Sequence, residues 1–378
     1  MKKIGIITIH KSEVNYGACL QSFALWKFIT DLGNDCEIID LSRPCHSDYK
    51  VSRSFGEKGK PWKQKLMAWV KRSVNKNNRK NWFLERRKKF EDFNKLARYS
   101  KRFRSVEELY KASLDYDIYI TGSDQVWNPK MPFLNEPYFL TFVPPNKKKI
   151  SYASSFGIDY IPQEYKEKYA NWLNKYDYLS TREESGANIV KGLTGKKPVV
   201  VMDPVFLLPK AAWESYTQAI IGIDSHSYIF VYMLKYDERI VKHAIALAEK
   251  RRKPLYMVLS EEKIVDHPMV KQLVILSPSE WLWLVANADV FVTSSFHGTA
   301  LSIIFNTPFV VFLENGVPTN NRILDMLASM GMMENQFDVN TASSEWIRSV
   351  RFGTDGFKDY SMKLKESRDY LIKAISND

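Results

Sequence analysis

Cysteine is scarce in this chain: Cys19, Cys36 and Cys45 are the only three in 378 residues. Three thiols at these spacings make neither a disulfide framework nor a C-x-x-C metal site, and a reducing cytoplasm suits them best. Long apolar runs are missing as well. No stretch approaches the ~20 residues that a membrane-spanning helix needs. The opening MKKIGIITIH reads as a buried first strand and not as a signal peptide, because a polar, Gly-containing stretch follows at once. No G-x-G-x-x-G follows that strand, G-x-x-x-x-G-K-[ST] occurs nowhere, and GLTGKK at 192–197 has the wrong spacing. Dinucleotide and P-loop sites are therefore poorly supported. Acidic residues are few in one segment: residues 51–105 hold 19 Lys/Arg against 4 Asp/Glu, in a chain whose net charge is +12. So concentrated a basic stretch implies a polyanionic neighbour, either nucleic acid or an anionic membrane face.

What is present is an alternation of short β-branched runs and helical patterns. Ile4 to Ile9 is a strand, Cys19 to about Leu32 a helix closed by Gly33-Asn34, and Cys36 to Leu41 the next strand. The alternation continues through strands at 117–121, 149–155 and 178–181, and resumes at 228–233, 255–259, 289–293 and 309–313. With 45% apolar and 13% aromatic residues, the chain can fill two cores. The expected class is α/β, with two Rossmann-like domains facing a cleft. The expected division is residues 1–185, with a basic helical insertion at 50–105; residues 186–345; and residues 346–378, a terminal helix returning to the first domain. Within the insertion, Trp62, Leu66, Trp69, Val70 and Val74 fall on one face of a helix bordered by Lys63, Lys65, Lys71 and Arg72. That helix either lies in a membrane interface or packs on the domain with a solvated basic face. A second helix, from Trp82 to Leu96, places Phe83, Phe90 and Phe93 in a core stripe. Nucleic-acid binding is not favoured, because no RNA-recognition signature accompanies the charge.

In an open parallel sheet, ligands bind beyond the carboxyl ends of the strands, and four segments place reactive side chains there. In ADVFVTSSFHGTALSIIFNTPFVV, His297 follows a strand within a small polar turn, Ser294 to Thr299. The N–H groups of Gly298, Thr299 and Ala300 are expected to favour an anion beside it. Thr121 to Pro129 carries Asp124, Gln125 and Trp127. Carboxylate and amide suit sugar hydroxyls and an indole suits a pyranose face, the alternative being a capping Asp124 and a core Trp127. Arg182 leaves another strand, where a guanidinium can hold a carboxylate or phosphate. Arg322, at the start of a helix, is a second anion clamp. Asn15, Tyr16 and Gln21 are either turn and cap residues or ligand contacts, and Asp203-Pro204 is a rigid turn near the domain junction, with a structural role expected for Asp203. Asp115-Tyr116-Asp117 mimics a D-x-D metal motif but precedes its strand, so it is read as a loop.

Seven segments in order, NYGACLQSFALWKFI, YDIYITGSDQVWNP, KISYASSFG, LSTREESGANIV, VVMDPVFLL, the His297 unit and NNRILDMLASMGM, resemble the polysaccharide pyruvyl transferase family. The resemblance implies a fold like the two-domain B-type glycosyltransferases. It also implies transfer of the enolpyruvyl unit of phosphoenolpyruvate onto two hydroxyls of a sugar such as galactose, giving a cyclic pyruvate ketal. Such enzymes decorate capsular and other surface polysaccharides, often on lipid-linked glycans, which would place the chain in the cytoplasm, peripheral to the inner membrane face. The family's histidine falls on His297 and its strand-exit arginine on Arg182. Many relatives have an arginine where this chain has Ser295, so Arg322, Lys11 or a lysine of 147–149 would complete the anion site. In this chemistry His297 is the acid that protonates the methylene carbon and Asp124 the base for the attacking hydroxyl. Arg182, Ser295, Gly298, Thr299 and Arg322 hold phosphoenolpyruvate, and Asn15, Tyr16, Gln125 and Trp127 hold the acceptor sugar. No metal or other cofactor is required. The alternatives are a sugar-nucleotide-dependent glycosyltransferase and a non-catalytic glycan- or RNA-binding module.

Overall fold

The computed structural model describes residues 1–10, 15–57, 79–259, 264–313, 320–337 and 354–377. Four parallel strands, β1 (Lys3–Ile7), β2 (Asp35–Ile38), β3 (Ile118–Thr121) and β4 (Lys148–Ser151), form one sheet in the order β2-β1-β3-β4. Ile4 lies opposite Cys36 on one side and Ile118 on the other. The strand is covered on both faces, which is why it reads as an unbroken apolar run. Gly5 has a packing reason: a Cβ there would lie 2.5 Å from the Tyr116 ring. The neighbouring acids serve this strand. Asp117 accepts the Lys3 N–H (2.8 Å) and Asp115 pairs with Lys3 and Lys147.

Two short strands, β5 (Ser180–Thr181) and β6 (Val199–Val200), extend the first lobe, because Tyr178 bridges to Ile150 and Thr181 to Ser154 of the β4 segment. The first lobe therefore runs past the expected cut at 185. The second lobe is an all-parallel sheet of β7 (Ile229–Met233), β8 (Leu255–Leu259), β9 (Val270–Gln272), β10 (Val290–Thr293) and β11 (Phe309–Val311), ordered β11-β10-β7-β8-β9. The terminal helix, Thr354–Ser376, returns to the first lobe. Leu371, Ala374 and Ile375 enter the core around Ile4, Ile6 and Ile120, and Tyr370 donates to the Ser151 carbonyl.

The lobes meet along the first helix, Tyr16–Asp31. It begins three residues earlier than its sequence pattern suggests, because the Asn15 side chain accepts the Ala18 N–H (3.1 Å) and caps it. Tyr16 stacks on Trp281 of the second lobe, ring centroids 5.0 Å apart. The amphipathic stretch at 58–78 lies outside the described residues. The helix that follows it, Arg79–Asn94, spans the junction: Phe90 packs on Tyr16, Phe93 on Phe23, and Lys89 pairs with Glu280 at 2.8 Å. Among the described residues no helix is long and apolar enough to cross a membrane.

Gly5→Ala should destabilise the protein by about 1–3 kcal/mol through overpacking against Tyr116. Gly192→Ala, in a helix with open space around it, should stabilise by roughly 0.5–1 kcal/mol. Denaturant unfolding of the two variants checks both signs.

Candidate active site at the lobe junction

The site grows from the turn after β6. Asp203 caps the short 3-10 helix Pro204–Leu207 through Oδ1, which accepts the Val205 N–H at 3.1 Å. Its other oxygen, Oδ2, accepts from Ser123 Oγ at 2.8 Å and from Arg182 Nη1 at 2.9 Å. His297 Nε2, from the opposite lobe, lies 3.5 Å from the same oxygen. Asp203 is almost wholly buried. Burial alone would raise its pKa, but the neighbouring His297 imidazole and the Arg182 guanidinium hold it well below the usual carboxylate range.

Arg182 leaves β5 and is locked on several sides. Nη1 serves Asp203 and Ser123, Nε lies 3.5 Å from Glu183 Oε2, and the guanidinium rests 4.4 Å above the Phe296 ring. Glu183 is held in turn by the Ser155 hydroxyl. Burial opposes the arginine's charge, but Glu183 and Asp203 more than offset it. Nη2 of Arg182 and Nε2 of His297 are both buried without a hydrogen-bond partner among the described residues. Two such atoms beside one carboxylate oxygen mark a place built for something further.

His297 is the second residue of the helix Phe296–Phe305, which starts earlier than the sequence pattern suggests. The imidazole approaches the first helix so closely that a Cβ on Gly17 would lie 2.1 Å from Nδ1. The Phe296 ring also carries Arg322, whose guanidinium carbon is 5.8 Å from its centroid. Arg322 Nη1 is 3.9 Å from Asp124 Oδ1. Burial and the adjacent Arg182 push the Arg322 pKa down to about 10. Asp124 sits at φ 74°, a left-handed conformation that aspartate tolerates better than most residues, and its side chain accepts the Gln125 N–H. A cavity of about 210 Å³ opens between Arg182, Asp203, Phe296, Arg322, Asp325 and Lys363. The last of these comes from the terminal helix, so both lobes and the returning helix line it.

His297, Arg182, Arg322 and Asp124 thus come together. The remaining expected contacts do not. Trp127 is buried, stacks on Phe139 and donates to the Tyr138 carbonyl, so it offers no face to a sugar. Tyr16 is buried in the lobe contact, Asn15 is occupied as a helix cap, and Gln125 accepts from Asn128. Ser295 is the cap of its own helix: its Oγ takes the Gly298 N–H and its carbonyl takes the Thr299 N–H and hydroxyl. Those N–H groups are consumed locally and do not form the expected anion nest. Lys11 lies outside the described residues. Lys147 pairs with Asp115 and Lys148 reaches the Ala374 carbonyl, whereas Arg322 lies over Phe296 beside Arg182. Asp203 was legible only as a rigid turn, although its position just beyond a strand's carboxyl end, like that of Arg182, is the signal that marks it.

The folded carboxyl of Asp203 ionises below its unfolded value of ~3.9. Its stabilising contribution is therefore complete above that value and is lost as pH falls towards the folded pKa. Asp203→Asn should lower stability at neutral pH and flatten the acid limb of a stability–pH curve. Arg322→Met removes a buried charge repelled by Arg182 and should cost less than about 1 kcal/mol. Sulfate or phosphate should raise the melting temperature of the wild type and should leave that of Arg322→Met unchanged.

The model of the polysaccharide pyruvyl transferase family matches residues 15–315. No curated protein matches the sequence. Among solved structures, the chain is similar to the UDP-GlcNAc 2-epimerase of Methanocaldococcus jannaschii, with TM-score 0.54 and 12% identity over 98% of this chain and 100% of that one. It is also similar to AviGT4, a glycosyltransferase involved in avilamycin A biosynthesis, with TM-score 0.50 and 12% identity over 99% of this chain and 97% of that one. A third is the S. aureus MnaA–UDP structure, with TM-score 0.50 and 10% identity over 100% and 99%. At these identities the likeness is one of fold: two parallel-sheet α/β domains of the B-type glycosyltransferase architecture. With the family's segments running through both lobes and converging at the Asp203 junction, the chain belongs to the polysaccharide pyruvyl transferase family.

Proposed function

We propose that the chain moves the pyruvyl unit of phosphoenolpyruvate onto two hydroxyls of a glycan sugar such as galactose, forming a cyclic ketal and releasing phosphate. The reading is carried by two buried donors that make no hydrogen bond among the described residues, Arg182 Nη2 and His297 Nε2, the imidazole standing 3.5 Å from Asp203 Oδ2 and the two coming from opposite lobes. His297 gives its proton to the methylene carbon, and positive charge develops at C2. The first sugar hydroxyl bonds to C2 and loses its proton to Asp124. Phosphate leaves, and the second hydroxyl closes the ring with its proton passing to the phosphate. Asp203 is a positioning residue: its Oδ2, 3.5 Å from Nε2, fixes where the imidazole sits at the junction. Arg182 and Arg322, side by side on Phe296, hold the carboxylate and phosphate of the donor.

Phosphate release from phosphoenolpyruvate in the presence of galactosides tests the reaction. With a sugar nucleotide instead, UDP release and no phosphate release would establish the glycosyltransferase alternative. His297→Ala should lower kcat by about 10²–10⁴-fold while phosphoenolpyruvate still binds, and unchanged turnover removes His297 from the mechanism. Arg182→Lys keeps a charge beside Asp203 but loses Nη2. It should weaken phosphoenolpyruvate binding roughly 10- to 100-fold, and an unaltered Kd rejects that role. The lysine- and arginine-rich segment 51–105 supports docking on an anionic membrane face, where a lipid-linked acceptor would be met. Co-sedimentation with phosphatidylglycerol vesicles at low salt should be seen and should fall as salt rises; no binding at low salt counts against it.

A further inference from the structure

A second, larger cavity, of about 620 Å³, lies at the carboxyl end of β2 between the segment that leaves that strand and the helix Arg79–Asn94. Its size is within the ~300–1,000 Å³ typical of small-molecule sites. Asp40, His46, Asp48, Asn94, Tyr99 and Arg102 line it. These groups hold one another within the wall and are anchored by His10 and Cys19. Asp40 Oδ1 takes His10 Nε2 (3.1 Å) and Arg102 Nη1 (3.0 Å), Arg102 Nη2 reaches Asp48 Oδ1 (2.8 Å), and Asn94 Oδ1 accepts from Cys19 Sγ (3.2 Å). The Arg102 hydrogen bond holds the Asp48 carboxyl down at about 2, so it remains an acceptor at neutral pH.

The charges of this cavity distinguish it from the arginine pair at the lobe junction. Three carboxylates and three Lys/Arg side chains share its walls and cancel. A phosphate or a nucleotide would find no excess of positive charge to offset its desolvation. An uncharged ligand dense in hydroxyls fits better: hydroxyls donate to ionised carboxylates and accept from guanidinium and amide N–H groups. The partly exposed Tyr99 ring supplies an apolar surface of the sort that sugar C–H faces cover. The first helix links the second cavity to His297. Tyr16 and Cys19 of the first helix touch Phe90 and Asn94 at the second cavity, while Gly17 between them abuts His297.

We propose that this cavity is the binding site for the neutral sugar residues of the glycan acceptor. Naming the ligand as acceptor rests on the pyruvyl-transfer reading, whereas the cavity's preference for an uncharged saccharide does not.

Ser47 stands exposed on the rim, so Ser47→Trp should fill the mouth without disturbing the arginine pair. Asp48→Asn changes one acceptor at nearly constant volume. The full chain is titrated with methyl β-galactoside, lactose and methyl α-glucoside by saturation-transfer NMR, and separately with phosphoenolpyruvate by calorimetry. At least one glycoside should bind the wild type, and each substitution should raise its Kd about tenfold or more while leaving the phosphoenolpyruvate Kd within about twofold. Glycoside binding unchanged in Ser47→Trp overturns the proposal, and so does a wild type that binds phosphoenolpyruvate but no glycoside. Glycoside binding without phosphoenolpyruvate binding instead overturns the pyruvyl-transfer reading and leaves the saccharide site standing. Binding of neither overturns both.

Discussion

A carboxylate removed from water must be met by positive charge and by hydrogen-bond donors, or it will not stay ionised. Asp203 Oδ2 meets that condition with a hydroxyl and a guanidinium from its own lobe and an imidazole from the other. The rest of the site follows from it. Arg182 is fixed because Asp203 holds Nη1, which settles where Nη2 lies. His297 is placed because its helix starts immediately after β10 and because Gly17 gives the ring room. Phe296, next to the histidine in sequence, provides the surface over which two arginines are brought together despite their repulsion. Buried cations held this close are a costly arrangement, and functional sites are where such costs are tolerated.

Much of this was legible in the sequence. Strand-exit position identified His297, Arg182 and Asp124, since in parallel sheets the carboxyl edge is where side chains converge. The α/β class and the paired lobes came from the alternation of β-branched runs with helical patterns. What stayed hidden depends on contacts between segments distant in sequence. Nothing local distinguishes a tryptophan that faces a ligand from one that stacks on Phe139 twelve residues later. Ser295 and Asn15 look equally well like ligand contacts and helix caps, and capping claimed both. Asp203 was missed for the same reason in reverse: its capping role is local and visible, while its partners Ser123 and His297 come from far along the chain.

Two segments that look peripheral in the sequence shape the centre. The helix Arg79–Asn94 of the basic insertion lies across the lobe junction, with Phe90 against Tyr16 and Lys89 on Glu280. The terminal helix is stitched to the first lobe by Ser367, which accepts the Met202 N–H, and by Arg368, which donates to the Leu207 carbonyl. Both bonds flank the Asp203 turn. The helix thereby reinforces the segment that carries the carboxylate and contributes Lys363 to the cavity wall.

A crystal structure with phosphoenolpyruvate or a non-reactive analogue addresses the core of this reading most directly. The donor should lie between the lobes, with a carboxylate or phosphate oxygen within about 3.2 Å of Arg182 Nη2 and its methylene carbon facing His297 Nε2. A donor bound away from the Asp203 junction, or an imidazole that leaves Asp203 and turns its Nε2 from the methylene, would contradict it.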